Sequence, residues 1–189
     1  MGSLTSIRKR HPKDKGGCYE IDLDRIMNLE DIRTTIMIKN IPNKYDMKQM
    51  LREINSRHKD RFDFFYLPID YGNHCNVGYA FINFLHAAYI LDFYRDYNGK
   101  GWPNYNSEKI CDLKYGRIQG KAELKRHFSQ TKVFKNQNKK LKPQIFDSRK
   151  VDPASIEKII EDHRSRLQKR KEDRKSATQQ FSSNLSDLN

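Results

Sequence analysis

The octet of residues 77–84, Val-Gly-Tyr-Ala-Phe-Ile-Asn-Phe, constrains the fold more than any other stretch of this chain. Side chains alternate between the two faces of a β-strand, so Tyr79, Phe81 and Asn83 point to one face and the apolar residues between them point to the other. The apolar set is suited to a core. Two neighbouring aromatic side chains on the opposite face are either buried by a second layer or exposed for contact with a partner.

The aromatic pair Tyr79 and Phe81 has two interpretations. In a parallel sheet covered by helices on both sides, both faces of the strand are buried and the rings belong to the core. In a basic chain, an exposed pair of rings can instead stack nucleic-acid bases, at roughly 1–3 kcal/mol per base. The octet alone leaves both interpretations open.

The small residues of the octet favour an exposed pair. Gly78 and Ala80 stand at positions that are small in the signature of the RNA recognition motif, K/R-G-F/Y-G/A-F-V-x-F/Y. With Ile82 counted as equivalent to valine, the octet follows this signature at every position except the first. Val77 stands there in place of a basic residue, so we expect one phosphate contact fewer than usual.

The distribution of charge also indicates a polyanionic partner. The chain has a formal net charge of +13 and a pI near 9.6, which favours nucleic acid or an acidic membrane surface. Lys and Arg number 7 against 6 Asp and Glu in residues 1–33, 12 against 9 in 34–118, 10 against 2 in 119–150 and 8 against 7 in 151–189. Most of the excess lies in the third segment, just after the last predicted strand.

Other classes of site receive little support. Cys18, Cys75 and Cys111 are odd in number and far apart, which fits a reducing compartment better than a disulfide framework. The spacings typical of metal sites, paired carboxylates or a Ser-His-Asp arrangement do not occur, so we predict no metal, no cofactor and no enzyme activity. The longest apolar stretch, residues 79–91, is too short and too interrupted by polar residues to span a membrane.

The periodicity of the chain predicts an alternation of strands and helices. Alternating residues predict strands at 34–41, 62–67, 77–84 and 110–118, and apolar residues at helical spacing predict amphipathic helices at 46–54 and 86–97. The order βαββαβ is the split βαβ arrangement. We therefore predict an α+β, ferredoxin-like fold, in which a four-stranded antiparallel sheet carries both helices on one face.

In this topology the other face of the sheet stays open. The first and third strands are the inner ones, so Met37 of the first strand should lie beside Tyr79 and Phe81 and help to stack two or three bases. Met37 occupies a position that is usually aromatic in this motif, which predicts a weaker and more adaptable surface.

Alternation places Phe65 of the second strand on the open face as well. Asp63 is expected to point outward because an acid is not readily buried without a partner, and Phe65 follows it by two residues. Phe64 and Tyr66 would then point into the core.

Five blocks of sequence closely resemble the C-terminal RNA recognition motif of the Mei two-like proteins of fungi, plants and protists. The blocks are residues 34–45, 65–70, 75–84, 93–100 and 117–122. The resemblance runs over residues 19–146 and implies binding of single-stranded RNA, often in programmes of meiosis or differentiation. It also implies a C-terminal extension that belongs to the fold, here residues 120–132.

Basic residues after the last strand are expected to compensate for the weaker stacking surface. Those that could neutralise phosphates are Lys121, Lys125, Arg126, Lys132, Lys135, Lys139, Lys140 and Lys142. The other interpretation of this run is a solvated tail. Leu124 and Phe128, spaced i to i+4, predict that its first part is a helix that packs.

We predict five segments in the chain. They are a disordered basic N-terminus (1–18), the RNA recognition motif with an N-terminal lead-in and a C-terminal helix (19–132), a basic linker (133–150), a charged helix (151–176) and a disordered tail (177–189). The charged helix has a thin apolar stripe formed by Ile156, Ile159, Ile160, His163 and Leu167. This stripe would dock on the domain, stay solitary or bind a protein partner.

The sequence thus predicts a monomeric single-stranded RNA-binding protein of the nucleus or cytoplasm, with no membrane contact. Base edges would be read by Lys39, Asn83 and Lys114. The alternative is a protein-interaction variant of the same fold, in which a peptide or the chain's own helix 120–132 covers Tyr79 and Phe81.

Overall fold

The computed structural model describes residues 19–70, 72–131 and 141–186, and five strands and five helices follow one another in them. The strands are β1 (Thr35–Lys39), β2 (Phe62–Tyr66), β3 (Tyr79–Phe84), β4 (Asp112–Tyr115) and β5 (Gln144–Ile145). The helices are α1 (Leu23–Met27), α2 (Met47–His58), α3 (Tyr89–Tyr97), α4 (Lys121–Ser129) and α5 (Pro153–Ser186).

The strands form one antiparallel sheet in the order β4-β1-β3-β2-β5. β1 and β3 are its central pair, with Met37 opposite Phe81 and Lys39 opposite Tyr79. The predicted α+β, ferredoxin-like fold is confirmed, and a fifth strand, β5, extends the sheet beyond β2. β5 lies within the predicted linker 133–150 and pairs Ile145 with Phe64.

Helices α2 and α3 cover one face of the sheet and enclose the main core. Met50 and Ile54 of α2 are buried, and the ring of Phe93 in α3 lies 5.1 Å from the ring of Phe84 in β3. An Asp46 side chain that accepts from the Gln49 amide at 2.7 Å begins α2. Such a cap satisfies a backbone donor that has no partner within the helix.

A β-bulge in β2 reverses the predicted orientation of that strand. Phe62 pairs with Phe84, but Phe64 already pairs with Asn83, so Asp63 is an extra residue. From this point Phe64 and Tyr66 share the face of Asn83 and Phe81. The outward orientation predicted for Phe65 is therefore wrong, since this residue is 0% exposed and lies opposite Ile82 in the core.

The first and last helices of the described chain contact each other. The lead-in that follows Tyr19 forms the short helix α1, which Asp22 caps by accepting from the Asp24 and Arg25 amides. α5 contacts α3 and α1, and Arg164 donates to the carbonyl of Met27 at 3.0 Å.

The apolar stripe of α5 docks on the domain itself. Ile156, Ile159, Ile160 and His163 are buried, and from residue 168 to residue 178 every side chain is exposed. α5 extends past residue 176, where we predicted its end, to Ser186. No helix in the described parts of the chain is both long and apolar enough to cross a membrane.

Candidate nucleic-acid interface

The centre of the open face carries the predicted aromatic pair. Tyr79 and Phe81 are half-buried, and their ring centroids lie 5.7 Å apart with an angle of 74° between the planes. Met37 lies beside Phe81 on β1 and is also half-buried. The structure therefore brings together the three side chains that the sequence assigned to stacking.

Helix α4 covers the β2 side of this face. The ring of Phe128 lies 4.8 Å from that of Tyr66, 5.9 Å from that of Phe64 and 6.2 Å from that of Phe81. The predicted helix 120–132 is thus a packed element over residues 121–129, and it leaves Tyr79 and Phe81 half-buried.

A groove of about 380 Å³ lies between α4 and the exposed half of the sheet. Tyr79 and Phe81 of the sheet and Phe128 of α4 are among the residues that line it. Arg117 and His127, both exposed, also line the groove. The groove therefore combines aromatic faces for stacking with a cation and a hydrogen-bonding ring.

Seven of the nine residues that line the groove were not assigned to the site from the sequence, and those with an aromatic, basic or imidazole side chain are Tyr66, Arg117, His127 and Phe128. Tyr66 was assigned to the core because the bulge could not be seen. Phe128 carried a usable signal, its spacing from Leu124, but that spacing does not indicate which surface the helix covers. Arg117 and His127 lie at the groove because of the direction in which the chain turns after β4.

A buried hydrogen-bond network occupies the other end of the open face. Asn83 is 4% exposed; its carbonyl oxygen accepts from the hydroxyls of Thr34 and Thr35 at 2.9 and 2.8 Å, and its amide donates to Asp63 at 2.8 Å. The second carboxylate oxygen of Asp63 accepts from Ser148 at 2.7 Å. Asn83 is on the predicted face, but its polar groups are engaged within the protein, so the base-edge contact predicted for it is not available in this structure.

Residues 119 and 120 join α4 to the sheet. The Gln119 side chain accepts from the amides of Thr34 and Thr35 and donates to the carbonyls of Thr35 and Gly116, all within 3.1 Å. Gly120 adopts φ 84°, a left-handed conformation that glycine tolerates best, and its amide donates to the Thr35 hydroxyl at 2.8 Å. This geometry starts α4 on the open face.

The two lysines predicted to read base edges are paired with acids. Lys39 lies 3.4 Å from Asp112, and Lys114 lies 3.3 Å from Asp112 and 2.6 Å from Glu20. Hydrogen bonding to Glu20 raises the pKa of Lys114 above its usual value. Both lysines reach the rim of the open face, next to Tyr79 and Met37, and a phosphate or base would compete with these acids for them.

The basic residues of α4 divide between its two sides. Lys121 points inward and donates to the carbonyl of Phe146 at 2.5 Å and to Ser148 at 3.0 Å, with Asp63 at 3.7 Å. Lys125 and Arg126 are exposed, and Arg126 pairs with Glu123. Lys142 is half-buried next to β5. Lys132, Lys135, Lys139 and Lys140 lie outside the described residues.

The model of the family described as RNA recognition motif 2 matches residues 33–129 of the chain. This chain belongs to that family. The matched residues begin just before β1 and end at the last residue of α4, so the match includes strands β1 to β4 and the helix that forms the groove, but not β5.

Curated relatives of this RNA recognition motif are MEI2-like proteins, which confirms the predicted family. The chain is 52% identical over 148 residues to MEI2-like 4 of Oryza sativa subsp. japonica, and 46% identical over 144 residues to MEI2-like 5 of Arabidopsis thaliana. The alignments cover 78% and 76% of this chain but 15% and 18% of those proteins. The chain thus spans less than a fifth of the length of either relative.

A solved structure, the Rna15 RRM with bound RNA (GU), superposes with a TM-score of 0.38 at 17% identity, over 51% of this chain and 97% of that chain. Within the described residues, no group of three or more His, Cys, Asp or Glu side chains is arranged to hold a metal ion.

Proposed function

We propose that this domain binds single-stranded RNA by stacking bases on Tyr79 and Phe81 in the groove beneath α4. The observation that carries the proposal is the half-exposed aromatic pair at the centre of the open face of the sheet, beside the part that α4 covers. RNA recognition motifs use sheet aromatics in this way for two or three bases. Arg117 and His127 at the groove would contact the adjoining phosphate or base.

Because α4 covers the β2 side, we expect the surface that stacks bases to be short. Phe64 is fully buried, and Tyr66 is 5% exposed, so neither ring is free to stack a base while Phe128 packs on them. The bases would therefore lie on the β1 and β3 side, over Met37, Phe81 and Tyr79.

Measurement of RNA affinity by fluorescence anisotropy tests the proposal. The double variant Tyr79→Ala, Phe81→Ala should lose about 1–3 kcal/mol of binding free energy per ring removed. The matched control is Tyr94→Ala, because Tyr94 is a half-buried tyrosine of α3 on the helical side. A folded double variant that binds RNA as tightly as the wild type would contradict the proposal.

A second candidate is a protein-interaction variant of the same fold, and the packing of Phe128 on Phe81 favours it because the chain already covers part of its own sheet. The two candidates differ in their response to salt. RNA binding weakens steeply as salt rises, whereas a peptide held on an apolar surface is almost insensitive to it.

Transcripts of meiosis or differentiation are the targets that the family resemblance suggests, and a nuclear or cytoplasmic monomer without catalytic activity is the form we propose. Crosslinking of the protein to cellular transcripts, followed by sequencing, tests the target class. Recovery of transcripts unrelated to either programme would contradict this part of the proposal.

A further inference from the structure

The charges of α5 are separated around the helix axis. In total the segment 151–189 is almost neutral, with 8 Lys and Arg against 7 Asp and Glu. Beyond the docked part, however, Glu172 and Asp173 share one half of the helix with Lys169 and Lys175 when residues are placed at about 100° intervals. The acidic and basic charges on that half are equal in number, and the remaining positive charges lie on the other half.

Three arginines form a ladder on this other half. Arg166, Arg170 and Arg174 are spaced at i, i+4 and i+8, so each is displaced from the previous one by about 6 Å along the axis and about 40° around it. All three are exposed, and none takes part in an ion pair among the described residues. Like charges at i, i+4 destabilise a helix by about 0.2–0.5 kcal/mol per pair, which a bound polyanion would relieve.

The ladder lies on the side of the helix that faces the domain. The buried stripe contains Ile160 and His163 and ends at the half-buried Leu167, and Arg170 and Arg174 continue it along the same half of the helix. α5 therefore extends beyond the domain surface over the part of the helix in which arginines replace the buried stripe. Because α5 packs against α3 and α1 and the groove lies on the open face, an RNA strand that reaches both the groove and these guanidinium groups passes round an edge of the domain.

We propose that the arginine ladder Arg166, Arg170 and Arg174 is a second nucleic-acid contact, which binds the backbone phosphates of an RNA strand that extends beyond the groove. The inference rests on the proposed function, because the groove holds the strand that the ladder then contacts. Arginine suits this role, since its planar guanidinium donates two hydrogen bonds to one phosphate. The 6 Å step along the ladder is similar to the separation of successive phosphates in an extended strand.

The test compares a short and a long single-stranded RNA, of about 4 and about 24 nucleotides, by anisotropy over a range of salt concentrations. In the triple variant R166Q, R170Q, R174Q, affinity for the long RNA should fall about tenfold or more, and the slope of log K against log salt should decrease by about 2, or about 0.7 per phosphate. Affinity for the short RNA should stay within about twofold, since that RNA fills only the groove.

The matched control removes the same number of charges from other positions of α5. K158Q, K169Q and K175Q alter exposed lysines outside the ladder, and we expect a smaller effect on the slope. Equal losses in both triple variants, or no loss in either, would overturn the proposal. Circular dichroism checks that α5 remains helical, and the single variant R170Q, with a slope change of about 0.7, replaces the triple variant if it does not.

Two further outcomes distinguish this proposal from an independent nucleic-acid site and from a membrane contact. If the short RNA does not bind the wild type but the long RNA still depends on the ladder, the proposed function of the groove fails and the ladder stands as an independent site. If the ladder variant binds both RNAs normally but loses binding to phosphatidylserine vesicles, the contact is with a membrane and the proposal is overturned.

Discussion

Asn83 shows how one residue on the open face can serve the fold rather than the ligand. Its side chain joins Thr35 of β1, and Thr34 just before that strand, to Asp63 of β2 through three hydrogen bonds of 2.9 Å or less. A buried carboxylate, the buried hydroxyl of Thr35 and the half-buried hydroxyl of Thr34 therefore share one amide as a partner. Leaving such groups without hydrogen-bond partners lowers the stability of the folded protein.

Replacement of Asn83 by Ala should lower the free energy of unfolding by about 2–4 kcal/mol, because it leaves Asp63 without its amide donor. Urea denaturation measures this change. Asn55→Ala is the control, since Asn55 is exposed on α2, and should shift stability by no more than about 0.5 kcal/mol. A variant of normal stability that loses RNA affinity would instead indicate that Asn83 contacts bases.

His58 should make the stability of the domain depend on pH. Burial lowers its pKa from 6.5 to about 4, despite an Asp96 carboxylate 3.2 Å away that acts in the opposite direction. The folded protein then binds fewer protons than the unfolded chain. The contribution of neutral His58 to the free energy of unfolding is therefore fully present above pH 6.5 and is lost as the pH decreases towards 4. The loss attributable to His58 is about 3 kcal/mol at the acid end of this window.

Chemical denaturation at several pH values tests this prediction. The variant His58→Phe should show a flatter dependence of unfolding free energy on pH between 6.5 and 4, because an apolar ring replaces the titrating one. His127→Gln removes an exposed histidine instead and should keep the slope of the wild type. Parallel curves for the wild type and His58→Phe would show that His58 does not drive the effect.

At the scale of elements, α4 has a structural side and an exposed side. Lys121 lies 3.7 Å from the buried Asp63 and donates to the carbonyl of Phe146, which links α4 to the residue that follows β5. Lys125 and Arg126 point to solvent near the groove residue His127. The basic residues of one helix should therefore fall into two functional groups.

Lys121→Gln should lower the free energy of unfolding by about 1–3 kcal/mol and leave the salt dependence of RNA binding unchanged. Lys125→Gln and Arg126→Gln should each reduce the slope of log K against log salt by up to about 0.7 and leave stability almost unaltered. Denaturation and anisotropy on the three variants separate the groups. The division of α4 is refuted if Lys121→Gln changes the slope as much as the other two.

For the whole molecule, the sequence predicted what depends on regular alternation and missed what depends on contacts between distant segments. Within the octet, β3 begins at Tyr79, two residues later than predicted, and pairs with β1 without a register shift, so the placement of Tyr79 and Phe81 followed directly from the alternation. The extra residue at Asp63 gives no signal in a run of aromatic residues, and it reversed Phe64, Phe65 and Tyr66.

The covering of the β2 side was missed for a similar reason, because it too depends on contacts between distant segments. β5 has two residues, Gln144 and Ile145, which are too few to show a period. Phe128 reaches the open face because Gln119 and Gly120 bind β1, which lies far away in sequence. The fold family could be predicted, but the shape of the groove could not.

The most direct test of the account is ultraviolet crosslinking of the purified protein to a short single-stranded RNA, with the attached peptides mapped by mass spectrometry. Aromatic side chains that stack on bases are placed to crosslink to them, so we predict attachment at Tyr79 and Phe81 in β3. Attachment confined to basic residues outside the groove, with none in β3, would contradict the claim that this sheet stacks RNA bases.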